Sequence, residues 1–96
     1  MLIIGCDFHT RYQQIAMAND ETGELLLERR LDHQSGEALT FYRSLQGPVC
    51  VGIEATGPIH WFERLIMIPS VKIQLALGPP AGNPLLLLVD IGLSCG

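Results

Sequence analysis

The sequence predicts an α/β domain built on one mixed sheet, with elements in the order β-β-β-α-β-α-β. Three observations carry this. The runs LIIGC and VCVGI have the unbroken apolar character of strands buried on both faces. The first thirty residues hold strand-length runs joined by links too short for anything but antiparallel neighbours. Beyond Ser35 the apolar period lengthens to that of a helix, and helix and strand then alternate. Such alternation favours parallel pairing through a right-handed crossover.

The first strand spans Leu2 to Phe8 and ends at the polar turn His9-Thr10-Arg11. Tyr12 to Ala18 forms the second, closed by the turn cluster Asn19-Asp20-Glu21-Thr22-Gly23, and Glu24 to Leu31 the third. Ser35 is the expected N-cap of the first helix, because its hydroxyl can accept a bond from an orphan amide of the first turn. Ala38, Leu39, Tyr42 and Leu45 then share one face, with Phe41 beside them, and Gly47-Pro48 stops the helix. Val49 to Ile53 is the fourth strand, ending at Glu54. Gly57-Pro58 opens a second helix with Trp61, Leu65 and Ile68 on one stripe and Phe62 and Ile66 beside it, until Pro69 ends it. Val71 to Leu77 is the expected fifth strand. The domain so defined covers residues 1–78. Residues 79–96, PPAGNPLLLLVDIGLSCG, carry no Lys or Arg and no clean cap pattern, and are expected to be an irregular, divergent tail.

The 96 residues allow one domain with one modest core. A composition 48% hydrophobic and 17% charged is that of a globular chain. A net charge of -4 with six Lys and Arg leaves no basic stripe to displace counterions from phosphates, which argues against tight nucleic-acid binding by this chain alone. Cys6, Cys50 and Cys95 are odd in number and widely spaced, fitting neither a disulfide framework nor a zinc site. Cys6 and Cys50 read as small buried hydrophobes in a reducing cytoplasm. The N-terminus has no basic segment ahead of its apolar run, so no signal peptide is expected. Leu85–Val89 is far short of a membrane span.

The chemistry lies in two acids. If Leu2–Phe8 and Val49–Ile53 lie side by side in parallel, Asp7 and Glu54 emerge at one C-terminal sheet edge, where functional groups of open α/β sheets gather. Carboxylates brought close repel unless a cation or proton lies between them, and Mg²⁺ suits one or two carboxylates with water completing its shell. The plain alternative is that each acid ends its strand in water. Of His9, His33 and His60, none has metal-ligand spacing with another, and His9 has the best claim to sit near Asp7. Arg29-Arg30 reads as a solvated strand edge and Tyr42 and Trp61 as core aromatics.

The series IIGCDFHTRYQQIAM, ETGELLLERRL, HQSGEALTFYRSL and PVCVGIEATGPIHWFERL resembles the N-terminal domain of the DEDD transposases of the Piv/MooV type. These are insertion-sequence recombinases with a RuvC-like, ribonuclease H-like fold, and the resemblance runs from about Met1 to Leu65. It implies that Asp7 and Glu54 are the first two acids of the DEDD tetrad, catalytic residues and metal ligands that hold Mg²⁺ for cleavage and exchange of DNA strands. It also implies DNA as partner in the intact family, with or without a guide RNA, and no membrane. The family pattern then fails. Where two further aspartates in a motif such as TDRRDA are expected, the chain has LGPPAGNPLLLLVDIGLSCG, and Asp90 stands without a basic neighbour or an aspartate partner. The expectation is therefore an incomplete, truncated or frameshifted copy, inactive alone and binding Mg²⁺ weakly.

Two other functions compete. A non-catalytic module could associate with a full-length transposase through sheet edges or the apolar tail. An actin-like or sugar-kinase nucleotide-binding domain shares the core type, but its first turn needs small residues near phosphate, and DFHTR places Phe8 and His9 there.

Overall fold

The structure, a computed structural model, describes residues 1–55, 71–75 and 84. Its described elements are β1 (Leu2–Phe8), β2 (Tyr12–Asn19), β3 (Leu25–Asp32), α1 (Glu37–Ser44), β4 (Val49–Ala55) and β5 (Val71–Leu75). The second helix expected from Gly57 to Ile68 lies outside the described residues, as do Trp61, His60, Cys95 and all of the tail except Pro84. The full β-β-β-α-β-α-β order is therefore not matched. The described order is β-β-β-α-β-β.

The strands form one mixed sheet in the order β3-β2-β1-β4-β5. β1, β2 and β3 are the antiparallel meander that their short links require. In the β2–β3 turn, Asn19 Oδ1 accepts the Glu21 amide at 2.9 Å. Gly23 takes φ 73° there, a conformation cheap only without a Cβ. β4 joins the other side of β1 in parallel, and β5 joins β4 in parallel.

Side-chain alternation sorts the sheet into two faces. Ile4, Cys6 and Phe8 of β1 share a face with Ile15 and Met17 of β2, Leu31 of β3, and Val49, Val51 and Ile53 of β4. Helix α1 covers this face with Ala38, Phe41 and Tyr42, and Leu39 and Leu45 pack half-buried around them. The other face carries a smaller cluster of Ile3, Ala18 and Cys50, with Met1 against it.

The ends of β2 and β3 fall one residue from those expected, at Asn19, Leu25 and Asp32, and two further boundaries differ. The N-cap of α1 is Gly36, at φ 82°, and not Ser35. Asp32 Oδ2 accepts the Ser35 amide at 2.7 Å, and Glu37 Oε1 reaches back to the Asp32 amide at 2.9 Å. This turn needs a left-handed residue at position 36, so the chain enters the helix one residue later, while Ser35 Oγ accepts the Glu37 amide at 3.4 Å. β4 runs through Glu54 to Ala55, so its acid lies in the strand and not beyond it. β5 is described from Val71 to Leu75, and the expected end at Leu77 lies outside the described residues.

Candidate functional site

Backbone register positions the acids. β1 and β4 pair in parallel with Gly5 opposite Gly52, Cys6 opposite Ile53 and Asp7 opposite Glu54. Residues opposite each other in a parallel pair project to the same face, and adjacent strands lie about 4.8 Å apart. Cys6 and Ile53 face α1, so Asp7 and Glu54 face the opposite way, as neighbours. On β2 the row continues with Gln14, opposite Asp7. Behind it lies a row of small residues, Ala16, Gly5 and Gly52. Both carboxylates are buried, Asp7 at 5% and Glu54 at 7% exposure. The reading of each acid as a strand end in open water does not hold.

Around Asp7 the groups are ordered. His9 Nε2 lies 3.1 Å from Asp7 Oδ2 and donates to it, since an ionised carboxylate can only accept. The His9 ring stacks on Tyr12, with centroids 4.6 Å apart and planes at 21°. The Arg30 guanidinium lies 3.8 Å from the Tyr12 ring centroid. Tyr12 therefore meets an imidazole and a cation, and a guanidinium on an aromatic face is an attractive contact. Arg29, one residue earlier, serves the other face, with Nη2 3.3 Å from Glu37 Oε2 and its guanidinium over Phe41. The solvated-edge reading holds for the exposure of both arginines, but each also has a ring partner.

A polar network runs through the core on the helix side. Gln13 is fully buried. Its Oε1 accepts the Tyr42 hydroxyl at 2.6 Å and the Cys6 thiol at 3.3 Å. Its Nε2 lies 3.0 Å from His33 Nε2, and His33 Nδ1 lies 3.2 Å from the Thr10 carbonyl. The Thr10 carbonyl only accepts, so His33 Nδ1 donates to it. Burial pushes the Cys6 thiol and the Tyr42 hydroxyl well up from their ordinary values. Neither is a nucleophile at neutral pH. Cys50 is disulfide-bonded, which corrects the expectation of reduced thiols. Spacing along the chain says nothing of which cysteines a fold brings within bonding distance.

The donor set fits Mg²⁺ in part. Two adjacent carboxylates match an ion that takes one or two of them and keeps water elsewhere. Among the described residues, no group of three or more His, Cys, Asp and Glu is placed to hold a metal.

Of the sequence candidates, the structure brings Asp7, Glu54 and His9 to one sheet end. His33 lies at the same end in the β3–α1 turn, facing the core and not the acids. Sequence reasoning passed over Gln13, although its place in the Gln13, Ile15, Met17 alternation marks a polar residue on a core face. Among the described residues no helix is long and apolar enough to cross a membrane. Comparison with profiles of known families, with curated proteins and with solved structures returns no match to this chain.

Proposed function

We propose that the chain is a partial ribonuclease H-like domain of the DEDD transposase type, in which Asp7 and Glu54 are half of an acidic Mg²⁺ site. The observation that carries this reading is the register: two buried carboxylates sit opposite each other at the end of a parallel strand pair. Burying two like charges side by side is costly without a cation between them.

Asp7 and Glu54 would hold the ion, and His9 orients Asp7 through its bond to Oδ2. A bound Mg²⁺ supplies polarisation of a phosphodiester oxygen and a more acidic water. With two carboxylates the site is half-built, and the chain carries a net charge of -4. Mg²⁺ binding is therefore weak, and the chain by itself does not cleave or exchange DNA strands.

Two measurements test this. Mn²⁺ titration should broaden the amide signals around Asp7 and Glu54, with the effect lost in Asp7→Asn; broadening elsewhere alone would remove the metal reading. A nicking assay with Mg²⁺ should show no cleavage, and cleavage abolished by Asp7→Ala would overturn the inactivity.

A second reading, a non-catalytic partner of an intact transposase, is favoured by the edge strand β3, where Leu25 and Leu26 are 45% and 43% exposed. Charged Glu28, Arg29, Arg30 and Asp32 on the same strand discourage open-ended pairing. Co-purification with an intact homologue, reduced by Leu26→Lys, distinguishes this role.

A further inference from the structure

The sheet end that carries Asp7 also holds a cleft that the carboxylate reading does not use. It is open, has a volume of about 520 Å³, and is lined by Thr10, Arg11, His33 and Gln34. Two turns build it: the β1–β2 turn, which begins two residues after Asp7, and the β3–α1 turn. No acid lines it. The acid of the second turn, Asp32, is committed to the Ser35 amide at 2.7 Å.

The walls are fixed and the donors are free. The His33 amide donates to the Arg11 carbonyl at 2.9 Å and ties the two turns together, while the His9 amide closes the β1–β2 turn on the Tyr12 carbonyl at 2.9 Å. The His33 ring is pinned by Gln13, by the Thr10 carbonyl and by contact with Phe8 at 4.6 Å between centroids. Because Gln13 is itself fully buried and bonded to Tyr42, this wall is anchored to the core. The Arg11 guanidinium, the Thr10 hydroxyl and the Gln34 carboxamide have no partner among the described residues. Of the arginines there, Arg29 is committed to Glu37 and Arg30 to Tyr12.

We infer that this cleft binds a phosphate oxyanion, with Arg11 as the charged, forked donor and Thr10 and Gln34 as neutral donors beside it. Arg presents parallel N–H groups that match two oxygens of a phosphate, and hydroxyl and amide donors complete such a shell. Arg11 is the one arginine that lines the cleft, so the site holds one anionic group and not a run of them. One contact of this kind is compatible with a chain that lacks a basic stripe. The oxyanion is either free phosphate or an internucleotide phosphate of a single strand. The second source rests on the proposed function, because it needs a nucleic-acid strand at this sheet end; the first does not.

The test uses the full chain in EDTA and low salt, so that failure of the metal reading leaves it unaffected. Inorganic phosphate and a ten-residue oligothymidylate are titrated separately, followed by amide shifts and by anisotropy of the labelled oligonucleotide. Expected are shifts at Thr10, Arg11 and Gln34, and about a tenfold loss of affinity in Arg11→Ala. If the oligonucleotide is the ligand, the salt slope also falls by about one. Arg11 is exposed, so the variant keeps the fold, and Arg11→Lys should restore part of the affinity. Shifts with phosphate alone assign a free-anion site; shifts and a reduced slope with the oligonucleotide assign a strand contact. No shift with either ligand overturns the inference, as does equal loss in the control Arg43→Ala.

Discussion

Replacing Asp7 by Asn removes one charge from the buried pair while keeping size and an oxygen for His9. The strands that carry the two carboxylates lie about 4.8 Å apart, which sets the scale of their separation. At an effective dielectric of about 20, their repulsion is then about 3 kcal/mol. The His9 bond to Asp7 and the contacts of Glu54 offset part of this, so in EDTA the Asn variant should be more stable than the wild type by up to about 1 kcal/mol. For a domain of this size each kcal/mol moves the melting temperature by roughly 4–8 °C, well within reach of a thermal scan. Mg²⁺ should reverse the order of response. At ten times its Kd, an ion bound only to the folded wild type adds about 1.4 kcal/mol, and the variant should gain almost none. The reasoning is refuted if Asp7→Asn lowers the melting temperature in EDTA and Mg²⁺ then raises both proteins equally. That result would mean the pair is already satisfied by its protein partners.

Three further outcomes follow from particular contacts. Tyr42→Phe removes the 2.6 Å bond to Gln13 while keeping the ring; urea denaturation should show a loss of about 1–2 kcal/mol, and no measurable change would make the network dispensable. Gly36→Ala forces a Cβ into φ 82°, where no neighbouring atom interferes, so the cost is backbone strain of about 1 kcal/mol, read by the same method. Hydrogen bonds from the Ser35 backbone and side chain hold the Asp32 carboxyl below its usual 3.8. A lowered folded value adds stability above the unfolded pKa and loses it as pH falls through the folded one. Acid titration of stability should therefore flatten below about pH 4 in Asp32→Asn, and an unchanged acid limb would remove Asp32 from that role.

Much of the fold was legible because local chemistry decides it. The meander follows from link lengths, and β1 was located to both ends by its apolar run and the polar turn after it. The helix face was legible from spacing, although Phe41 is buried more deeply than Leu39 or Leu45. The cap was not legible, because Ser35 is a good N-cap by type. What displaced it was Asp32 and Glu37 closing a turn that only Gly36 can complete. The acids were legible as candidates, and their adjacency was conditional on a pairing that no local signal contains.

By itself, the sequence determined which segments are strands, which face of α1 is apolar, and that two acids follow two buried runs. These depend on side-chain period and turn chemistry, which act over a few residues. The tertiary structure alone decided that Asp7 and Glu54 are register partners, that both are buried, and that His9 bonds one of them. It also alone joined Gln13 to Tyr42 across 29 positions of chain. Strand register and long-range hydrogen bonds are set by how whole faces pack, and a slip of one residue would turn each acid to the other side of the sheet.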